Sequence, residues 1–333
     1  MQDVEERYVA PGCTLCREGA KLVLFVTGRC ERDCWYCPLS VERKETDRVF
    51  ANDREVEGEA DLLAEVEVMA ALGTGVTGGE PLLAPERVVR YCRALKEKYG
   101  PEHQIHLYTG RAPSDDELMP LVGLVDELRL HPPFEDWPRI METPYPGAIR
   151  RTRALGFAIG VEVPSLPGIE HLAPLLPLVD FFNVNELEWG ETNAGEMRRR
   201  ELTLAGPLGN AIEGARDWAR PLFDHEKVRL CSSSFKDAVQ LRERMRRIAE
   251  RTARSFDEVT EDGTVVYAVL RPEGDLVEAI AALELDADEY GVVEGGIELA
   301  WWRLAEDRAS VRGEKTIVER YPNRGMIVEV IPL

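Results

Sequence analysis

The stretch from Leu22 to Cys37 constrains this chain more than any other. Leu22-Val23-Leu24-Phe25-Val26 contains no polar residue and ends at Thr27-Gly28. A short apolar run closed by glycine reads as a parallel strand buried on both faces. Cys30, Cys34 and Cys37 follow at once, spaced C-x-x-x-C-x-x-C. That places three thiols on the loop after a strand, where α/β proteins bind ligands. The chain has seven cysteines, and five of them fall between Cys13 and Cys37. Such crowding favours metal or redox chemistry over structural disulfides.

The rest of the chain alternates in the way that first strand requires. Asp61 to Leu72 reads as an amphipathic helix with Leu62, Leu63, Val66 and Met69 on one face. Gly73 to Pro81 is a short strand running into a glycine turn at Gly78-Gly79-Glu80-Pro81, and Pro85 to Lys98 is a helix stopped by Gly100-Pro101. Further strands are expected over Gln104–Tyr108, Val125–Leu130, Phe157–Val163 and Asp180–Asn185. Helices are expected over Asp115–Leu124, Ala148–Leu155 and His171–Leu178 between them. Strand and helix in alternation mean an α/β fold with a parallel sheet, open or curled into a barrel. Trp189 to Asp224 reads as an excursion over the sheet's mouth, Lys227 to Leu230 as a short strand, and Phe235 to Arg254 as one long helix. The tail, with strands at Thr264–Leu270, Lys315–Arg320 and Met326–Ile331 and a helix at Leu276–Leu285, reads as a smaller α+β domain. The expected division is an N-terminal CxxC extension at 1–20, a core at 21–255 and a C-terminal α+β domain at 256–333.

Charge and hydropathy narrow the function classes. A net charge of −20 repels nucleic acid backbones, so nucleic acid is a disfavoured partner. No apolar run approaches a membrane span and the N-terminus has no signal-peptide pattern, so a cytoplasmic protein with no membrane partner is expected.

Two readings of the cysteines compete. Cys13-x-x-Cys16, 17 residues, then Cys34-x-x-Cys37 fits a zinc ribbon and makes Cys30 a spare thiol. Against it, the residues between the pairs hold an apolar strand core rather than an alternating hairpin. Three thiolates can instead hold three irons of a four-iron cluster and leave the fourth open. The cysteine triad, with the aromatic Tyr36 before its third member and Gly78-Gly79-Glu80-Pro81 after the next strand, resembles the radical S-adenosylmethionine (radical SAM) superfamily. The resemblance runs in strand–helix order from about Lys21 to Cys231. It implies a partial (βα) barrel, a [4Fe–4S] cluster on Cys30, Cys34 and Cys37, and S-adenosylmethionine (SAM) chelating the fourth iron. It implies an electron donor such as ferredoxin or flavodoxin, and reductive cleavage of SAM to a 5′-deoxyadenosyl radical that abstracts hydrogen from a substrate.

The same resemblance assigns roles by position. Gly78 and Gly79 would let backbone approach the methionine ammonium, with Glu80 as a charged acceptor and the Tyr36 backbone at the adenine edge. Glu162, Asn183 and Asn185, at later strand ends, would meet the ribose and carboxylate. Arg129, His131 and the pair Tyr108-Thr109 would face SAM or substrate. For each of these the competing reading is a polar residue satisfied inside the barrel mouth. His103 and His106 show no pattern and read as surface or packing residues.

Cys13, Cys16 and Cys231, with His225, are candidates for zinc or a second cluster; a redox pair or buried thiols are the alternatives. Cys92 reads as core. The arginines from Arg242 to Arg254 alternate with Glu243 and Glu250, which suits a solvated helix, with a basic groove for RNA or a phosphorylated substrate as the other reading. Within the superfamily the short core looks most like the activating enzymes of glycyl-radical proteins, in particular the archaeal relatives of pyruvate formate-lyase activating enzyme. The smallest of those have no counterpart of the tail after Phe256. An unidentified small molecule or cofactor precursor is therefore the favoured substrate. An activase acting on a partner protein, an RNA-modifying enzyme and a zinc-binding module are the alternatives.

Overall fold

The computed structural model describes residues 4–7, 10–306, 310–323 and 325–333. The sequence also joins the strands expected over Lys315–Arg320 and Met326–Ile331 at Asn323-Arg324-Gly325, of which Arg324 lies outside the described residues. The chain divides into two compact units, Met1–Glu67 with Ala71–Gln240, and Val68–Ala70 with Leu241–Leu333.

The first unit opens with helix α1 (Pro11–Arg17) and strand β1 (Lys21–Phe25), followed by the short hairpin β2 (Phe50–Ala51) and β3 (Arg54–Glu55). Helix α2 (Glu59–Met69), β4 (Gly73–Thr77), α3 (Pro85–Tyr99), β5 (Gln104–Thr109), α4 (Asp115–Leu118) and β6 (Glu127–Leu130) continue the alternation. After them come α5 (Tyr145–Ala154), β7 (Ala158–Pro164), β8 (Phe181–Asn185), α6 (Ala194–Arg199), α7 (Ala215–Trp218), β9 (Val228–Cys231) and α8 (Ser233–Phe235). The sheet has the order β3-β2-β1-β4-β5-β6-β7-β8-β9. From β1 to β9 every neighbouring pair is parallel, as in Val23↔Gly75, His106↔Glu127, Arg129↔Gly160 and Glu162↔Asn183. This is the expected α/β architecture, left open between β3 and β9.

Side chains alternate across that sheet. One face holds Leu22, Leu24, Val76, Ile105, Leu107, Leu128 and Val161, all fully buried. The other face is polar and equally buried, with His106, Glu127, Arg129, Glu162 and Asn183. Helix α1 covers part of this inner face. Pro11 suits its first turn, where a missing N–H costs nothing. The next residue, Gly12, donates its N–H to Glu127 Oε2 at 3.0 Å. A Cβ at Gly12 would lie 2.6 Å from Arg129 Nη2, so only glycine lets the helix seat so deeply. The described residues of segment 1–20, expected as a separate extension, belong to the first unit, with α1 on its inner face.

Several expected helices are shorter than their periodicity suggested. Asp115–Leu124 becomes α4 plus a 3₁₀ turn over Met119–Leu121, because Pro120 cannot continue the ladder. His171–Leu178 becomes 3₁₀ turns over Ile169–Leu175 around Pro174. The long helix expected over Phe235–Arg254 is broken by a π-helical turn at Lys236–Leu241, and the boundary between units falls there. The second unit therefore begins with α9 (Arg242–Thr252) rather than at residue 256.

In the second unit, β10 (Glu258–Val259), β11 (Val265–Pro272), α10 (Leu276–Ala282), β12 (Tyr290–Val293), β13 (Gly296–Leu299), α11 (Trp301–Glu306), β14 (Gly313–Arg320) and β15 (Ile327–Pro332) follow α9. The antiparallel sheet runs β12-β13-β11-β14-β15, with β10 also on β11. Leu270, Ala279, Leu283, Ile297, Leu299 and Leu304 form a core under α10 and α11. On α9, Met245, Ile248 and Ala249 are buried. Arg246 pairs loosely with Glu243 and Glu250, both at 3.6 Å, which is the solvated-helix reading rather than an RNA groove. No helix among the described residues is long and apolar enough to cross a membrane.

Candidate active site

Cys30, Cys34 and Cys37 lie on the loop that leaves β1, beyond the C-terminal end of the parallel sheet. All seven cysteines are free thiols, with Cys30 exposed and Cys34 and Cys37 half-buried. The loop is held from three directions. Gly28 N donates to Thr46 O at 2.7 Å and Glu45 N donates to Gly28 O at 3.0 Å, which ties the loop to the segment that follows it. From the turn after β4, Gly79 N donates to Thr27 O at 2.6 Å and Glu80 N to Arg29 O at 2.8 Å. From the segment after β8, Asn193 Nδ2 donates to Tyr36 O at 3.2 Å, and Thr192 Oγ1 to Cys37 O at 3.1 Å and Leu39 O at 2.6 Å. Glu191 Oε2 accepts from Val41 N at 2.9 Å.

The glycines of the second motif have a structural reason that can be measured. A Cβ at Gly79 would stand 2.3 Å from Arg29 O and 2.6 Å from Gly28 O, and one at Gly78 would stand 2.5 Å from Thr27 O. Their close approach is to the backbone that carries the cysteines. Glu80 completes the turn. It is buried, its Oε1 accepts from Leu82 N at 3.0 Å and Thr109 Oγ1 at 2.7 Å, and its Oε2 accepts from Gly110 N at 2.8 Å. Burial raises its carboxyl above the usual range, opposed by those three donors. Glu80 therefore joins the cysteine loop to the end of β5.

Two of the three thiols are raised by their surroundings. Burial raises the Cys30 thiol, the Arg32 backbone N–H opposes this, and the charges of Glu80 and Cys37 add to the rise. Cys34 is raised by burial and by Cys30 and Cys37, against a hydrogen bond with Tyr36. Tyr36 is buried against His131, with its hydroxyl 3.2 Å from Nε2, and the other ring nitrogen of His131 meets Glu162 O at 2.9 Å.

Glu162, Asn183 and Asn185 come together with Arg129, one layer into the sheet. Glu162 Oε2 accepts from Arg129 Nη1 at 2.7 Å and Asn183 Nδ2 at 2.9 Å, and Oε1 accepts from Asn185 Nδ2 at 3.0 Å and Tyr108 OH at 3.2 Å. Arg129 Nη2 donates to Glu127 Oε1 at 3.0 Å. Burial works to raise Glu162, but Arg129 and the two asparagines hold its carboxyl below the usual range. Burial likewise works against the Arg129 charge, and Tyr108, Glu162, Cys13 and Glu127 more than offset it. His103 and His106 are both buried, the first on Thr74 Oγ1 at 2.9 Å.

Cys13, Cys16 and Cys231 gather on the inner face, where Cys13 and Cys231 add to the rise of the Cys16 thiol and Cys13 to that of Cys231. Cys13 Sγ accepts from Asn183 Nδ2 at 3.3 Å and lies 3.8 Å from Arg129 Nη2, and Cys231 Sγ accepts from Gln240 Nε2 at 3.5 Å. Burial lifts the Cys16 thiol to about 11. Among the described residues no three His, Cys, Asp or Glu side chains converge as ligands of one metal ion. Zinc or a second cluster on Cys13, Cys16 and Cys231, one of the readings above, is not shown: the three do not converge on a single ion, and His225 is turned to Lys227 N at 3.3 Å. The zinc ribbon fails. Helix α1 meets the beginnings of β4 and β6, with Leu15 beside Gly73 and Gly12 on Glu127, whereas Cys34 and Cys37 lie past the strands' other ends. Cys92 is fully buried, as expected of core.

Sequence reasoning missed Thr192 and Asn193. The only signal was their position shortly after a strand end, beside Gly190, where a Cβ would lie 3.0 Å from Pro38 Cα. It also missed a cleft of about 600 Å³ next to the cysteine loop, lined by Trp35, Phe134, Trp137, His171, Arg200 and Trp218 among others.

Comparison with known proteins gives three kinds of likeness. The radical SAM superfamily model matches residues 24–137, and a domain of unknown function (DUF8061) matches residues 263–333. A Methanocaldococcus jannaschii protein that bears the provisional name glycyl-radical enzyme activating enzyme is 32% identical over 351 residues, covering 97% of this chain and 92% of that one. Among solved structures, Streptococcus suis SuiB bound to S-adenosylmethionine aligns at 13% identity and a TM-score of 0.41, over 64% of this chain. The radical SAM methyltransferase TsrM from Kitasatospora setae, with cobalamin and a [4Fe–4S] cluster bound, aligns at 12% identity and a TM-score of 0.41, over 70% of this chain. This chain spans 50% of the length of the first structure and 60% of the second.

Proposed function

Because the chain belongs to the radical SAM superfamily, and is therefore an enzyme, we propose that Cys30, Cys34 and Cys37 hold a [4Fe–4S] cluster whose remaining iron takes SAM. The donor set fits. Thiolates are the usual ligands of such clusters, and each of the three would bind a different iron, so they need not converge on a single ion. Burial raises the Cys30 and Cys34 thiols, and such thiols give up their protons when iron supplies the positive charge. The observation that carries this reading is a loop of three free thiols, clamped on three sides, at the C-terminal end of a parallel sheet.

When bound, the cluster and SAM supply a reductively formed 5′-deoxyadenosyl radical that abstracts hydrogen. The chain's own residues position and shield. Gly78 and Gly79 set the distance between the cysteine loop and the second turn, and Glu80 fixes that turn to β5. The Tyr36 ring, braced by His131, shuts water from the side of Cys34. Glu162 and Asn183 act as positioning residues, since their polar atoms are taken up by Arg129, Cys13, Tyr108, Asn185 and each other. Asn185, at the strand end, and the turn at Gly78-Gly79 are the contacts we assign to SAM. A low-potential ferredoxin or flavodoxin is the expected electron donor.

The substrate is a small organic molecule or cofactor precursor, a reading supported by the aromatic-lined cleft beside Trp35. The second reading, activation of a partner protein, is favoured by the name of the Methanocaldococcus jannaschii relative. Anaerobic reconstitution should give a brown protein with about four irons per chain, lost on Cys30→Ala, Cys34→Ala or Cys37→Ala and kept on Cys13→Ala with Cys16→Ala. A colourless chain that takes up zinc alone would sink the proposal. Deuterium passed from a labelled metabolite pool into 5′-deoxyadenosine would support the small-molecule reading, and deuterium from a glycyl protein the second.

A further inference from the structure

We infer that the cleft beside Trp35 is the substrate site and that its ligand is a flat, conjugated ring system bearing an anionic group. Its role as a substrate site rests on the radical reading above; the ligand class rests on the cleft alone. The aromatic walls come from three separate segments. Trp35 lies between Cys34 and Tyr36, Phe134 and Trp137 follow β6, and Trp218 ends α7. Trp35 and Phe134 meet edge to face at 6.4 Å and 90°, and Phe134 and Trp137 at 5.3 Å and 64°. Trp137 is buried and its indole N–H donates to Pro132 O at 3.0 Å, so this wall is fixed. A volume of about 600 Å³ holds a molecule of two or three fused rings. Rigid π faces and edges favour a flat guest over an aliphatic one.

The charge comes from Arg200. Its guanidinium lies 4.3 Å from the Trp35 ring centroid, stacked on the residue that ties the cleft to the cysteine loop. Its carboxylate partner is Glu196 at 3.7 Å, too far for a hydrogen bond, and Glu196 is also engaged by Arg199. Arg200 therefore presents planar N–H donors matched to an oxyanion at the rim, with Glu135 as the opposing charge elsewhere on the lining. A cationic guest would have to displace Arg200 from Trp35. Glu135 lines the same cleft and disfavours a second negative group on the ligand.

Isothermal titration of the anaerobically reconstituted full chain with naphthalene-2-carboxylate and its neutral isostere naphthalene-2-carboxamide tests this directly. The carboxylate should bind at least about tenfold tighter than the amide. Arg200→Gln should erase that preference, and Trp218→Leu should weaken both probes together. Equal affinity for the two probes, binding of neither, or an Arg200→Gln variant that keeps the preference would overturn the inference. Release of 5′-deoxyadenosine is followed on the same preparation. Carboxylate binding without 5′-deoxyadenosine would sink the radical reading and the substrate role while the ligand class stood. 5′-Deoxyadenosine without probe binding would sink the cleft and leave the radical reading.

Discussion

Replacing Arg129 by methionine should be among the most damaging single changes in the first unit. Its side chain is 2% exposed and its fork binds two carboxylates, Glu162 at 2.7 Å and Glu127 at 3.0 Å. Methionine fills the space but leaves both carboxylates buried without a cation. Glu127 would keep Gly12 N at 3.0 Å and Gln104 Nε2 at 2.8 Å, and Glu162 would keep Tyr108, Asn183 and Asn185. Removing one partner of such a buried pair costs about 3–5 kcal/mol. Urea unfolding of the thiol-reduced apoprotein at pH 7 should show a loss of that size.

The pH dependence carries its own sign. Glu162 is held below the usual carboxylate range in the folded protein. Its contribution is therefore present above the unfolded value and is lost as pH falls through the folded one. Without Arg129, burial dominates and the Glu162 carboxyl rises, so the variant takes up a proton on acidification that the parent does not. The gap between the two should narrow from pH 7 to pH 5, and adding Glu162→Gln should recover about 1–3 kcal/mol of it. Arg129→Lys, whose single ammonium cannot fork to both carboxylates, should fall between parent and methionine variant. A loss below about 1 kcal/mol, or a gap that is flat with pH, would refute the charge-network account.

Other perturbations address the loop and its supports. In Gly79→Ala the new Cβ would lie 2.3 Å from Arg29 O, so the cysteine loop must shift, at a cost of about 1–3 kcal/mol and with reduced iron after reconstitution; full iron loading would contradict this. Asn193→Ala removes the bonds to Tyr36 O at 3.2 Å and Glu188 O at 3.0 Å, and Cys34 and Cys37 of the apoprotein should alkylate faster with iodoacetamide, whereas an unchanged rate would show that Asn193 is no clamp. Burial, with help from Lys21 and Lys96, lowers His103 to about 4, so the unfolded chain protonates first and stability should fall by up to about 3 kcal/mol as pH drops from 6.5 towards 4. His103→Gln should remove that slope; if the slope persists in the variant, His103 is not its source.

What could be read from the chain follows where its physics is local. The thiol spacing, the apolar β1 and the turn at Gly78-Gly79 are each contained within a few residues, and the alternation of strand and helix is a matter of period. The clamp at Thr192 and Asn193 is supplied by an irregular segment more than 150 positions away, and neither residue belongs to a periodic element. Gly78 and Gly79 were legible as a close approach, but not which backbone approaches them. The seven residues of α1 are too few for a hydrophobic period, so their seat on Glu127 and Arg129 could not be foreseen. Glu162 and Asn183 stand at the expected strand ends, yet their bonds run inward, because every second position of β5 to β8 faces a polar interior that α1 covers. The π turn at Lys236–Leu241 has no sequence signature, and with it the boundary between units was displaced.

The central claim is that the loop from Cys30 to Cys37 turns SAM into a hydrogen-abstracting radical. It is tested most directly by measuring 5′-deoxyadenosine after anaerobic reconstitution with iron and sulfide, reduction by dithionite and addition of SAM. The account predicts that 5′-deoxyadenosine is released by the parent and by Cys13→Ala, and by none of Cys30→Ala, Cys34→Ala and Cys37→Ala when these are shown to be folded. A folded parent chain that carries its full iron and releases no 5′-deoxyadenosine, or a Cys34→Ala variant that still releases it, would contradict the account.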